Sequence, residues 1–301
     1  MTAAPPTGAR SYARRCAQAL NAFHSIPYFT ADLGDALAEF GVTDPSSVQL
    51  ASRAAPLGPV GAPLMTAVFN AFAPGFLAER VPALWGMVSP ERVLAAREKA
   101  AGAALERLLG ADALHSDAMV EAADLAMAAA SGLSFPGRPL YAANAALPRP
   151  GVPHIALWHA ATMLREHRGD GHITVLGHFE LTGVEALVLD CASERGMAKE
   201  LVMPQRGWTE DEWSAAQARL LARGLMGGEG ALTARGTALR HEIERETDRL
   251  DRAPYASLGA ADTEKLAKYV HRLVNSAAGS GAFIPQLRGY FAPDTETWNK
   301  R

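Results

Sequence analysis

Cysteine is scarce in this 301-residue sequence, which contains only Cys16 and Cys191. The two lie far apart in the chain and neither belongs to a Cys-x-x-Cys pair. The sequence therefore excludes a disulfide framework and a zinc site of the Cys-x-x-Cys type. A chain that uses so little cysteine is typical of a reducing compartment, and we expect a cytoplasmic protein.

Long apolar runs and an excess of charge of one sign are also missing. No stretch of about 18 uncharged apolar residues is present, which argues against a membrane span. The first residues carry Pro, Gly and Arg without the apolar core of a secretory signal. The formal net charge is −3. The chain as a whole therefore has no electrostatic reason to approach a membrane or nucleic acid, and DNA binding would need a local basic patch.

Alanine is abundant, for example at 118–130, and alanine mixed with Leu, Glu and Arg favours helix. The length is sufficient for two domains. Three prolines and a glycine at 147–153 stop any helix and stiffen the chain, so we place the domain boundary there. We predict a mainly α fold of two winged-helix-like domains. Residues 1–148 form an N-terminal helical or degenerate winged-helix domain, and 154–301 a winged-helix domain with C-terminal helices.

The most specific architectural signal lies at 220–239. A helix that ends in Arg223-Gly224-Leu225 is followed by a glycine-rich tip and by Leu232-Thr233, which opens a long helix. This order of elements resembles the winged-helix module of multiple-antibiotic-resistance-type regulators. The resemblance implies a short two-stranded wing in the second domain, with 209–223 as its recognition helix.

Several motifs together resemble a family of actinobacterial helix-turn-helix, or regulator-like, proteins over most of the chain. The motifs lie at 52–58, 137–140, 157–162, 164–172, 206–208 and from Leu232 onwards. The resemblance implies a winged-helix fold in the second half and no particular activity. The sequence departs from the family's pattern at 68–72, where a second Asn commonly follows the Phe.

Five of the nine histidines fall within 154–178, where we predict a helix over 154–167, a turn at 169–171 and a helix over 172–179. His154 and His159 are five residues apart, as are His167 and His172. Two metal ligands on one helical face need a spacing of three or four. We therefore predict no metal site and no cofactor, with haem ligation by a single histidine left open because it has no spacing signature.

Four residues converge on the predicted turn: Glu166, His167, Asp170 and His172. A carboxylate beside an imidazole can orient the ring and raise its basicity near neutral pH. We predict these four as a catalytic acid–base site, with His167 or His172 as the base and Glu166 or Asp170 as the orienting group. The alternative is that the charged residues only fasten the helix end through ion pairs.

Two arginines are candidates for binding an anionic group in a pocket. Arg53 precedes an apolar loop rich in Pro and Gly at 55–63, and Arg138 lies in a Gly-Arg-Pro turn. The alternative for each arginine is a carboxylate partner across the domain interface. The predicted ligand-binding residues are Arg53, Asn70, Arg138, His154, Trp158 and His159, although a tryptophan is more often part of a core.

The predicted recognition helix is acidic where it would enter DNA. It carries Arg219 and Arg223 against Glu210, Asp211 and Glu212, and the three acids lie at its N-terminal end. Phosphate neutralisation supplies most non-specific affinity, so this edge disfavours DNA binding. The wing tip at 227–230 is short and has no arginine.

The sequence therefore predicts a monomeric or homodimeric protein that binds a small molecule on a repurposed winged-helix scaffold. One form of this hypothesis is a cofactor-independent enzyme of secondary metabolism that uses a His/carboxylate acid–base pair. The alternative is a ligand-responsive, DNA-binding transcriptional regulator.

Overall fold

The computed structural model describes residues 7–194, 196–294 and 298. These residues are mainly α-helical, as the sequence predicts, and none of them forms a β-strand. The two-stranded wing is not confirmed, because Met226 and Leu232 form only a single antiparallel bridge in its place. Within the described ranges, no helix is long and apolar enough to cross a membrane.

The described residues form seventeen α-helices. In chain order they are α1 (Thr7–Ser25), α2 (Ala31–Ala38), α3 (Pro45–Ala54), α4 (Ala62–Val68), α5 (Pro74–Met87), α6 (Pro90–Leu109), α7 (Ala111–Leu114), α8 (Asp117–Ala130), α9 (Pro139–Ala145), α10 (Pro153–His178), α11 (Gly183–Cys191), α12 (Lys199–Gln205), α13 (Glu210–Ala222), α14 (Ala234–Leu250), α15 (Ala253–Leu258), α16 (Ala260–Gly279) and α17 (Pro285–Phe291). Two short 3-10 helices, Ile26–Phe29 and Ala55–Leu57, follow α1 and α3.

The longest of these helices, α10, lies at the centre of the fold. Sixteen of its 26 residues are buried, and it packs against α1, α6, α8, α9 and α14. A helix with neighbours on most sides has no single polar face turned to water. Its polar side chains must therefore find hydrogen-bond partners inside the protein.

The turn predicted at 169–171 is wrong, because α10 runs unbroken through it. A Cβ on Gly171 would lie 2.5 Å from Nη1 of Arg138, and one on Gly169 would lie 3.2 Å from Nη1 of Arg165. The two glycines give these guanidinium groups room against the helix instead of bending the chain. A glycine in a helix interior costs only about 1 kcal/mol relative to alanine, which tertiary packing readily offsets.

The largest core cluster joins early and late parts of the chain. It contains Phe23 of α1, Leu105 of α6, Trp158 of α10 and Val270 of α16. Helix α16 packs along α1, which brings the C-terminal region back to the N-terminal helices. The boundary at 147–153 stays a prediction, and this cluster contains residues from both sides of it.

A separate core packs α11, α13 and α14 against the end of α10. Val175 and Leu176 of α10 belong to this cluster together with Val188, Trp213 and Ile243. Because these helices share a core of their own, we treat residues 183–250 as one unit and call it the α11–α14 module.

Two helices of this module begin with a capping box, in which a Thr is followed three residues later by a Glu. Thr182 and Glu185 form one at the start of α11, and Thr209 and Glu212 form the other at the start of α13. A capping box satisfies two backbone N–H groups that have no partner within the helix. The two helices therefore begin where the sequence places them.

The module is docked on the segment between α4 and α5. The indole Nε1 of Trp208 donates to the backbone oxygen of Ala71 at 2.8 Å. A Cβ on Gly183 would lie 1.6 Å from the backbone oxygen of Asn70. The close approach of α11 to this segment therefore requires glycine at position 183.

Gly183→Ala tests this contact. The added methyl group must push the backbone of Asn70 away, and such overpacking costs about 1–3 kcal/mol of unfolding free energy. Gly177→Ala in α10 is the matched control, since its added Cβ meets nothing within 4 Å. That variant should be as stable as the wild type or slightly more so. Urea unfolding measures both differences, and a Gly183→Ala protein of wild-type stability would contradict the contact.

Candidate functional site

A cavity of about 440 Å³ lies between α1, α10, the segment 68–72 and the α11–α14 module. Small-molecule sites usually have volumes of about 300–1,000 Å³ and combine apolar walls with a few polar groups. Leu164, Leu176 and Ile243 line this space together with arginines and carboxylates. The cavity has the size and the mixed wall of a ligand site, and we call it the junction cavity.

The structure divides the predicted site residues into two groups. Four of the ten line the junction cavity: Arg53, Asn70, Glu166 and His172. The other six are not among its lining residues: Arg138, His154, Trp158, His159, His167 and Asp170.

Glu166 is a buried carboxylate that two arginines neutralise. Only 1% of its side chain is exposed. Arg53 binds it from α3 at 3.0–3.1 Å through Nε and Nη2, and Nη1 of Arg165 lies 2.5 Å from its Oε2. Burial alone would raise the pKa of Glu166, but Arg165 and Arg53 outweigh it and lower the pKa to about 2. Glu166 therefore stays ionised. Arg53 was predicted to bind either an anionic ligand or a carboxylate of the protein, and the structure gives it a carboxylate partner, Glu166.

Arg206 adds a third guanidinium group to this end of the cavity. Its guanidinium lies 4.5 Å from the ring centre of Phe72, and its Nη1 donates to Oε1 of Gln49 at 3.0 Å. Within the described part of the chain it has no carboxylate partner. Burial and the charges of Arg53 and Arg165 lower its pKa to about 10.

Sequence reasoning did not predict Arg165 or Arg206 as site residues. The one signal for Arg206 is the motif Arg206-Gly207-Trp208. Gly207 has a φ of 73°, and a Cβ on it would lie 2.2 Å from the ring of Phe76, so the motif marks a tight contact with the N-terminal helices.

His172 is the predicted base that lines the cavity. Its Nδ1 lies 3.0 Å from Oγ1 of Thr247 in α14. Burial is the main cause that lowers the pKa of His172 to about 4. The imidazole is therefore neutral at physiological pH, and its second nitrogen can donate or accept a hydrogen bond according to the tautomer.

His167, the other predicted base, contacts α14 instead of the cavity. Its Nδ1 lies 2.7 Å from Oδ1 of Asp251, and at most 4% of either side chain is exposed. The carboxylate next to His167 is thus Asp251, which sequence reasoning did not predict. Neither Glu166 nor Asp170 occupies that place, so the predicted catalytic residues do not form a pair with one another.

Arg138 and Asp170 connect α9 to α10. Arg138 donates to the backbone oxygens of His167 and Leu250, so its partners are main-chain carbonyls. Oδ2 of Asp170 accepts from the backbone N–H of Tyr141 at 2.9 Å, while its Oδ1 has no hydrogen-bond partner among the described residues. Burial is the main cause that raises the pKa of Asp170 to about 7.

The three remaining predicted residues lie in the first half of α10. Trp158 is buried, and its Nε1 donates to the backbone oxygen of His24 at 3.1 Å. His159 is also buried, which lowers its pKa to about 4. His154 is half-buried, and burial lowers its pKa as well. The structure places these side chains in or near the core and does not bring them to the junction cavity.

The described residues contain no group of three or more His, Cys, Asp and Glu side chains that could hold a metal ion. Haem ligation by one histidine would need a ring nitrogen that faces an open space. His172 is the predicted site histidine that lines the cavity, and its Nδ1 is already hydrogen bonded to Thr247. An axial ligand at this position would therefore have to be Nε2.

Comparison with known families gives a match over most of the chain. A model described as a helix-turn-helix family matches residues 13–284. The chain belongs to this helix-turn-helix family. No curated protein and no solved structure matches the chain. The family match extends across 147–153, so it covers the N-terminal helices and the α11–α14 module alike.

In this helix-turn-helix protein, Arg219 of α13 and Arg223, which directly follows the helix, are bound to acceptors of the protein itself. Nε of Arg219 lies 2.8 Å from Oε1 of Glu185. Arg223 donates to the backbone oxygens of Glu180 and Phe179, each at 2.9 Å. The first turn of α13 is acidic and exposed. The helix predicted to enter DNA therefore presents its negative end to solvent, while both of its arginines already have partners in the protein.

Asp170→Asn tests the buried carboxyl group. The pKa of Asp170 is raised from 3.8 to about 7. At a pH between these two pKa values, Asp170 is ionised in the unfolded chain but protonated in the folded protein. The free energy of unfolding of the wild type therefore falls as the pH rises to about 7, and above that pH it no longer changes through this group. The asparagine variant, whose amide oxygen still accepts from Tyr141, has no such loss.

Urea unfolding from about pH 5 to pH 8 measures the effect. The stability advantage of Asp170→Asn over the wild type should grow by roughly 1 kcal/mol per pH unit up to about pH 7 and then remain constant. An advantage that is the same at every pH would show that Asp170 does not titrate near neutral pH in the folded protein.

Proposed function

We propose that this helix-turn-helix protein binds a small organic molecule in the junction cavity. The observation that carries the proposal is the composition of the wall. Helices α1 and α10 and the segment 68–72 form one side, and α11 and α14 of the module form the other. Polar wall residues such as Arg53 and His172 are held by hydrogen bonds of their own, which is the arrangement that orients a ligand in an otherwise apolar site.

The proposal also concerns the fold of the α11–α14 module. We infer that the α11–α14 module is a winged helix of the multiple-antibiotic-resistance type whose wing is shortened to the Met226–Leu232 bridge. Its separate core and its two capped helices support this assignment. The actinobacterial origin of the chain stays a prediction.

Catalysis in this cavity would depend on His172. Glu166 is fully engaged by two arginines and stays ionised. His167 and its partner Asp251 do not line the cavity. His172 and Glu166 both line the wall, but each is hydrogen bonded to another residue. We therefore place ligand binding ahead of cofactor-independent acid–base chemistry.

Phenylnaphthylamine, a neutral fluorescent probe of apolar cavities, tests ligand binding. Ala186 of α11 lines the cavity, and Ala186→Phe should fill part of it and weaken probe binding about tenfold or more, because the ligand and the new ring compete for one space. Ala215→Phe is the control, since Ala215 is exposed on α13 and does not line the cavity. Fluorescence titration gives the dissociation constants, and equal values for the two variants would contradict the proposal.

A ligand-responsive regulator is the second candidate, and membership of the helix-turn-helix family favours it. A molecule in the junction cavity would contact α11 and α14 directly, so it could change the position of the module. The charge distribution of α13 opposes this candidate, because its arginines are already bound to Glu185 and to backbone oxygens.

A gel-shift titration separates the two candidates. Random-sequence duplex DNA should not be retarded at about 0.15 M salt, because α13 offers no free basic group for phosphates. Bovine serum albumin, another acidic protein, is the control for non-specific smearing. Retardation that falls steeply as salt is raised would favour the regulator over the proposed function.

A further inference from the structure

We infer that the ligand of the junction cavity carries an oxyanion, a carboxylate or a phosphate, and that Arg206 binds it, with Arg53 and Arg165 supplying further positive charge. This inference rests on the proposed function, since it names the chemistry of the molecule that the cavity would hold. Three independent features of the wall support it.

The first feature is an excess of positive charge at one end of the cavity. Arg53 and Arg165 share a single carboxylate, Glu166, and Arg206 lies close enough to both arginines for their charges to lower its pKa. Glu166 already accepts from Arg53 and Arg165, so it does not neutralise Arg206. A partly buried cation without a counter-ion is costly. An anionic group in the cavity would supply the missing charge.

The second feature is the set of donors that Arg206 leaves free. Its guanidinium stacks on the Phe72 ring, and its Nη1 donates to Gln49. Its other N–H groups have no acceptor among the described residues. A guanidinium is planar and presents its donors in a fork that matches two oxygens of a carboxylate or phosphate. The stacked face fixes the plane, and the free edge can bind the oxyanion.

The third feature is the fixed position of this part of the chain. The backbone oxygen of Arg206 accepts from the N–H of Ala73 at 2.9 Å. Two residues later, Nε1 of Trp208 donates to the backbone oxygen of Ala71 at 2.8 Å. The main chain that carries Arg206 is thus hydrogen bonded to the segment that carries Phe72. A donor held in place in this way loses less entropy when a ligand binds.

The other arginines of the cavity do not share this excess. Arg168 binds Glu244 at 3.2 Å, and Arg240 binds Asp190 at 2.7 Å. The α14 end of the cavity is therefore balanced in charge, and it also carries the neutral His172. This contrast assigns the oxyanion to the Arg206 end and an uncharged part of the ligand to the α14 end.

Two probes of nearly equal shape test the inference. Anilinonaphthalenesulfonate is phenylnaphthylamine with an added sulfonate, which is an oxyanion. Wild-type protein should bind the sulfonate about tenfold or more tightly than the neutral probe, because a charge-assisted hydrogen bond contributes at least that factor. Arg206→Gln should remove this preference and leave the affinity for the neutral probe within about twofold.

Arg149→Gln is the matched control. It also removes one positive charge, from an exposed arginine that pairs with Asp124 and does not line the cavity. It should leave the affinities for both probes unchanged. If Arg149→Gln weakens sulfonate binding as much as Arg206→Gln does, the preference reflects net charge and the inference is overturned.

A competition assay on the wild-type protein keeps the inference testable if Arg206→Gln does not fold. Benzoate and phenyl phosphate, but not neutral benzamide, should displace phenylnaphthylamine, and the stronger of the two anions identifies the preferred oxyanion. Equal displacement by benzamide and both anions would overturn the inference while leaving the proposed function intact. Probe binding that ignores Ala186→Phe would overturn both.

Discussion

The charge of Glu166 is the constraint on which the centre of this protein depends. A carboxylate that is 1% exposed is costly unless charged partners compensate for its lost hydration. Arg165 comes from the same helix, but Arg53 comes from the last turn of α3, so the ion pair requires the end of α3 to lie within reach of α10. Phe69, which also lines the cavity, packs against the Arg53 guanidinium at 4.7 Å. One wall of the junction cavity therefore follows from the neutralisation of one buried charge.

The opposite wall depends on the next turns of the same helix. His167 is paired with Asp251, Arg168 with Glu244, and His172 with Thr247. These contacts fasten α14 to α10, and α14 brings α11 and α13 with it through their common core. The junction cavity lies between the two sets of polar contacts. An occupant of the cavity would therefore touch the N-terminal helices and the α11–α14 module at once.

Features that depend on a few neighbouring residues could be predicted from the sequence, whereas features that depend on distant partners could not. The capping boxes at Thr182 and Thr209 are local, and both are present. Glycines at 169 and 171 favour a turn when considered alone, but Arg138, about thirty positions earlier, occupies the space beside Gly171. The contacts of Arg206 could not be predicted from the sequence either, because its partner Gln49 lies 157 positions away in the chain. The sequence shows that polar groups are concentrated in α10, but their partners on α3 and α14 decide what each group does.

The placement of charge favours a small anion over a polyanion. A helix-turn-helix fold does not by itself determine what a protein binds. Here Arg219 pairs with Glu185 inside the module, and Arg223 binds the backbone between α10 and α11. The chain has a net charge of −3, yet three arginines face one carboxylate inside the cavity, so the remainder of the molecule is more negative than the total. Duplex DNA would meet only the outer surface, where the first turn of α13 exposes three acidic side chains. A molecule small enough to enter the cavity reaches a field of the opposite sign, where low polarity strengthens the attraction.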